Sequence, residues 1–156
     1  VTTVVMLLPH APSAPAATVT ETPTLSPLDQ KVQDALAIIE SQDGNPMQAI
    51  FLLREVVEED PQHRNAQYAL GRFSMMSGQW DKAAERFEIV LQIHPDDVDA
   101  AEGLAQSLVE LGRPEGAIQH LQSFLTQHPN TSRASELTAM METLQAGNST
   151  EAKELQ

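Results

Sequence analysis

Gly78-Gln79-Trp80-Asp81-Lys82-Ala83-Ala84-Glu85-Arg86-Phe87, running on to His94-Pro95-Asp96-Asp97, is the stretch that decides the fold. Gly78 lies between two apolar-periodic segments, where a tight turn needs a residue free to take positive φ. Ala83 falls one turn into the second segment. A bare methyl there lets two helices approach closely. Pro95 ends that segment and sets φ for entry into the next one.

Shifting the chain by 34 residues in either direction finds the same pattern again. Gly44, Gly78 and Gly112 align, as do Ala49, Ala83 and Ala117, and Pro61, Pro95 and Pro129. Leu36, Leu70 and Leu104 form a fourth set, Leu53, Phe87 and Leu121 a fifth, and Val56, Val90 and Phe124 a sixth. The chain holds only 7 Gly and 10 Pro, so triplets of both at one spacing are not a coincidence of composition. The last three sets supply an apolar stripe at helical spacing.

Seven helices are expected. Ser26-Pro27 and Asn45-Pro46 read as N-caps with proline at the first helical position. The first helix runs to about Gln42 and the second to about Glu59. Two further pairs cover roughly Gln62 to Ser77 with Gln79 to Ile93, and Asp96 to Leu111 with Pro114 to Gln127. A last helix spans about Thr131 to Gln145, and Gly147-Asn148-Ser149-Thr150 is expected to stop it, with a frayed end at 151–156.

These residues resemble the tetratricopeptide repeat family over about Gln30 to Leu144. The resemblance implies an all-α, right-handed solenoid of three helix-turn-helix repeats with a C-terminal capping helix. The repeats are expected at about 30–63, 64–97 and 98–131 within a domain of 28–146, the cap at 131–146, and a tail at 147–156. Residues 1–27 form a Pro/Ala/Thr-rich arm. The first unit departs from the family at Gln33 and Glu40, where larger core residues are usual, so a looser first helix is expected. Leu137, Met140, Met141 and Leu144 are placed to cover the open end of the third pair.

One helical pair cannot bury its apolar face alone, and stacking three makes a continuous core. In arrays of this family the first helix of each pair lines a concave face. Helical spacing then puts Lys31, Asp34, Ile38 and Gln42 there in the first unit. The second unit supplies Asn65, Tyr68, Arg72, Met75 and Met76, and the third Asp99, Glu102, Gln106, Val109 and Glu110. Tyr68, Arg72 and Met75 form the middle of this expected binding groove. Aromatic and arginine side chains are common anchors, and methionine adapts to varied apolar partners. A subgroup of the family grips C-terminal carboxylates with Lys, Asn and Arg. The matching positions here, Asp34, Ile38, Ala69, Asp99 and Gly103, do not fit, so recognition of that type is not expected.

Composition narrows the function. Apolar residues make up 41% of the 156 and aromatics 4%, a balance that favours helices packed with Ala, Leu, Val, Ile and Met. A net charge of −13 argues against nucleic acid and for a basic or apolar protein segment as partner. The absence of cysteine excludes disulfides, thiol catalysis and zinc-thiolate sites. No HExxH pair, P-loop or GxSxG occurs. His94 and His128 lie one repeat apart, too far to share a metal, and read as solvated loop histidines. Glu58-Glu59-Asp60 and Asp96-Asp97-Asp99 read as solvated faces, the second favourable at a helix start. Asn130-Thr131-Ser132 and Asn148-Ser149-Thr150 match the glycosylation pattern, which matters only in a eukaryotic secreted protein.

The expectation is therefore a non-catalytic protein-binding scaffold without cofactor, metal or small-molecule substrate. An accessory or assembly subunit of a larger complex is favoured over a soluble peptide-binding adaptor or a regulatory fragment of a larger enzyme. Val4-Val5-Met6-Leu7-Leu8 reads as the end of an anchor or signal segment, too short by itself to span a membrane. It suggests a tether and a bacterial-envelope, periplasm-facing location, with the cytoplasm as the alternative. The prolines Pro9, Pro12, Pro15, Pro23 and Pro27 make the rest of the arm an extended linker or a docking arm.

Overall fold

The computed structural model describes residues 25–41 and 44–154. The arm up to Thr24 and Gln42, and with them the anchor and docking-arm readings, lie outside the described residues. The described residues form seven helices in order: α1 Pro27–Glu40, α2 Pro46–Glu59, α3 Arg64–Met76, α4 Trp80–Ile93, α5 Val98–Glu110, α6 Pro114–Gln127 and α7 Ala134–Glu154. Each packs on the next, and α1 with α3 and α3 with α5 also touch, which lines the first helices of the pairs along one face.

The start signals act as expected. Ser26 Oγ accepts from the Asp29 amide at 3.0 Å, and Asn45 Oδ1 from the Met47 amide at 3.0 Å, each with proline at the first helical position. His63 and Asp97, one repeat apart, cap α3 and α5 in the same manner through Nδ1 and Oδ1.

The repeat sets become the core. Ala49, Ala83 and Ala117 are wholly buried, as are Leu53, Phe87 and Leu121. Val56, Val90 and Phe124 lie beneath them. Burying one such Leu or Phe stabilises by about 1.5–3 kcal/mol, so the three equivalent positions anchor three neighbouring clusters. The first joins α1, α2 and α3, the second α3, α4 and α5, and the third α5, α6 and α7. Leu91 and Leu108 belong to both the second and the third, so the core is continuous there. Leu137 of α7 is buried in the third, with Met140, Met141 and Leu144 against it, and caps the array.

Three expectations need correction. The first is the common role of the glycines. Gly78 and Gly112 take φ of +69° and +70° and close Schellman-type turns, with Gln79 N to Ser74 O at 2.8 Å and Arg113 N to Leu108 O at 2.9 Å. At Gly44 the requirement is space. Its hydrogen is needed because a Cβ would run into the Ile38 carbonyl.

The second is the register of α1. The helices α2, α4 and α6 obey the 34-residue shift to the residue, as do α3 and α5. Helix α1 begins three residues early and ends two early. Val32 and Ala35 are buried like their repeat equivalents Ala66 and Ala69, but Ile38 packs into the first cluster where its equivalent Arg72 is exposed, and Gln33 is exposed where Gln67 is buried. This rotation of the helix removes two polar side chains from the core and leaves Leu36 40% exposed, where Leu70 and Leu104 are each 6% exposed.

The third is the C-terminal stop. Helix α7 passes through Gly147 to Glu154. A glycine in a helix interior costs only about 1 kcal/mol, too little to end a helix by itself, and nothing else at Gly147 opposes continuation.

Candidate functional site

The face that carries α1 and α3 holds a cleft of about 600 Å³. Its apolar lining comes from Leu25, Leu36, Ile39, Phe73 and Met76, and its polar groups from Gln33, Glu40, Asn65, Tyr68 and Arg72. A second recess of about 420 Å³ continues between α3 and α5, lined by Tyr68, Arg72, Met75, Met76, Glu102 and Gln106. Tyr68, Arg72 and Met76 border both, so α3 is the ridge on which the concave face turns.

Of the expected site residues, the structure brings Asn65, Tyr68, Arg72, Met75, Met76, Glu102 and Gln106 to this face. It does not bring Lys31, Asp34, Ile38 or Val109. Lys31 Nζ turns to Glu55 of α2 at 3.3 Å. Asp34 is exposed and accepts from Gln30 of its own helix at 3.0 Å. Ile38 packs against the first core cluster. The rotation of α1 explains all three, and it puts Gln33, Leu36 and Glu40 in their place. Val109 follows Ala101 and Ala105 at helical spacing and packs into the third cluster with them. The signal that would have found the α1 register is Val32-Ala35-Ile39, an apolar stripe competing with Gln33-Leu36-Glu40.

Tyr68 is held in place from two sides. Its ring meets Phe87 edge-on at 5.7 Å, and the Arg64 guanidinium stands 4.8 Å from its centroid. Phe87 in turn fills the space left by the missing side chains of Gly71 and Gly103. Buried Gln67 donates to the Pro61 carbonyl and accepts from Arg86, both at 2.6 Å, and so ties α3 to the preceding turn and to α4.

Apart from exposed Glu40, the acidic residues that flank this face are engaged. Arg64 reaches Asp97 at 2.6 Å. Burial pushes the Asp97 carboxyl up, but the bonds from Arg64 and the Ala100 amide outweigh it and hold the group below its ordinary value. Arg133, just before α7, reaches Glu136 at 2.6 Å, Glu102 at 2.7 Å and Asp99 at 3.0 Å. Its pKa is raised, by the Glu136 bond first and the Glu102 bond next. Arg72 is different. It is exposed, and among the described residues its guanidinium makes no hydrogen bond or ion pair.

The histidines are structural. His63 Nε2 lies 3.2 Å from Asp29 while its Nδ1 caps α3, and the His128 ring stacks on Phe124 at 4.9 Å. Among the described histidines only His94 is exposed at its turn as expected, and His128 is half-buried instead. His120 points inward to the Ala101 carbonyl at 3.2 Å, and burial lowers its pKa. Among the described residues no group of three His, Asp or Glu side chains converges as a metal site, and no helix is long and apolar enough to cross a membrane.

The sequence profile of the tetratricopeptide repeat matches residues 30–90 and 75–141. No curated protein sequence matches. Among solved structures, a point mutant of MamA is similar at 21% identity and a TM-score of 0.60, over 80% of this chain and 71% of that one. A crystal structure of MamA is similar at 16% identity and a TM-score of 0.58, over 81% of both chains. Thermobaculum terrenum O-GlcNAc transferase is similar at 20% identity and a TM-score of 0.55, over 71% of this chain but only 22% of the enzyme. These likenesses concern the fold, a right-handed α-solenoid.

Proposed function

Given that the chain belongs to the tetratricopeptide repeat family, we propose that it is a non-catalytic scaffold that holds an apolar segment of a partner protein in the cleft between α1 and α3. Repeat proteins of this family are generally protein-interaction modules. The observation that carries the site is exposed apolar surface where a solenoid presents its concave face: Leu36 is 40% exposed and Met76 74%. Water gains from covering such side chains, and methionine adapts its shape to the guest. Two of the acidic groups that would attract a basic segment, Asp99 and Glu102, are already paired with Arg133, which leaves Glu40 alone at the edge of a mainly apolar cleft. An apolar guest is therefore favoured over a basic one.

Met47 and Phe51 make a second exposed strip on α2, at i and i+4, outside the cleft lining. Two separate apolar surfaces favour an accessory or assembly subunit over an adaptor with one peptide site. The envelope location and membrane tether rest on the N-terminal segment alone.

The test is capture of native partners with the wild-type chain and with Leu36→Glu plus Met76→Glu. Both residues are exposed, so the double variant keeps its fold. Loss of the captured partners supports the cleft. Full retention overturns it.

A further inference from the structure

We infer that Arg72 selects the guest by seating a carboxylate carried on an otherwise apolar peptide segment. This rests on the cleft reading above and adds the chemistry of the occupant.

Arg72 borders both the cleft of about 600 Å³ and the recess of about 420 Å³, so any segment laid along α3 passes it. The other arginines at this face are occupied. Arg64 is spent on Asp97 and Arg133 on Asp99, Glu102 and Glu136. Arg72 alone at this face has no partner among the described residues. A guanidinium offers a planar fork that matches a carboxylate with two parallel bonds. Its neighbours Met75, Met76, Phe73 and Tyr68 present apolar surface, and a guest laid over them would cover the bond together with them, which strengthens it.

The rest of the electrostatics narrows the ligand. With a net charge of −13, the chain repels strongly acidic segments at long range. A single unpaired cation therefore suits one carboxylate better than an acidic run or a phosphate dianion. Glu40 also borders the cleft and makes no ion pair with Arg72. It keeps acidic groups away from the C-terminal end of α1 and so fixes where along the cleft the carboxylate can lie.

The experiment is selection of a displayed random dodecapeptide library on the wild-type chain, followed by affinity measurements on synthetic copies of the winners. The selected peptides are expected to carry one Asp or Glu among Leu, Ile, Met or Phe. Changing that residue to its amide should weaken binding about tenfold, the scale of a charge-assisted hydrogen bond. Against Arg72→Glu the preference should invert, with Lys at that peptide position binding best. Peptides that require Leu36 and Met76 but ignore the Glu-to-Gln change would overturn the role of Arg72 and leave the cleft standing. Absence of any peptide dependent on Leu36 and Met76 would remove the cleft and this inference with it.

Discussion

The ring of Phe87 lies where the side chain of Gly103 would be: a Cβ built on Gly103 stands 2.6 Å from Cζ. Phe87 belongs to α4 and Gly103 to α5, so the second and third helical pairs meet ring to backbone. Gly71 gives the same ring slightly more room, 3.0 Å. Tyr68, which anchors the concave face, rests on this ring.

Gly103→Ala should therefore destabilise the protein. Alanine gains about 1 kcal/mol of helix propensity. Overpacking a ring confined from both sides costs about 1–3 kcal/mol and outweighs that gain. Gly71→Ala should cost less, or nothing. Urea unfolding of the two variants checks the order, and a more stable Gly103→Ala would refute the packing.

The rotation of α1 is tested by a contrast. Val32 is buried and Gln33 exposed, although Gln33 is the repeat partner of buried Gln67. Gln33→Ala should stay within about 0.5 kcal/mol of wild type. Gln67→Ala leaves the Pro61 carbonyl and Arg86 without their bonds and should cost about 1–3 kcal/mol. Val32→Ala should also destabilise, by about 1–3 kcal/mol. Equal sensitivity at positions 33 and 67 would restore the strict repeat.

Arg133 fastens α7 to α5 through Asp99 and Glu102. Arg133→Met should loosen the cap locally, seen as faster amide exchange in α7 with α2 to α4 unchanged. The same exchange in wild-type protein should quicken with added salt, because the groups are partly exposed. An unchanged α7 would show that Leu137 and its neighbours hold the cap alone.

Acid should destabilise the chain in two separate steps. His120 has a lowered pKa, so the folded state binds fewer protons than the unfolded state once pH falls below the ordinary value of 6.5. Stability is full above that value and declines as pH drops from it toward the folded value. Asp97 and Asp29 are also lowered, from 3.8, and their contributions are lost only as pH falls through their still lower folded values. His120→Gln should abolish the first step and leave the second. Thermal melts from pH 8 to about pH 2 distinguish the two.

The repeat made most of the fold legible. Helices α2 to α6 needed only the 34-residue shift and two kinds of punctuation, glycine and proline, because each residue there does the work of its equivalents. Helix α1 broke the rule for a physical reason. Gln33 and Glu40 cannot be buried without partners, so the helix turns until Val32, Ala35 and Ile39 face inward. The residues expected at the concave face follow the strict repeat, so Lys31, Asp34 and Ile38 lie off the two recesses while Tyr68, Arg72 and Met76 border both. The ion pairs of Arg64 and Arg133 were not legible at all. Those that tie one helix to another join residues 31 or more positions apart through long side chains whose direction no periodicity fixes.

The connection 41–45 is two residues longer than 77–79 or 111–113. The turn of α1 goes no further than α1, because α2 already keeps the bounds of the strict repeat and buries Ala49, Leu53 and Val56 at its positions. A single pair can thus drift in sequence, turn a new set of side chains toward the guest, and leave every later pair where it was, which gives this architecture a cheap way to change what it holds.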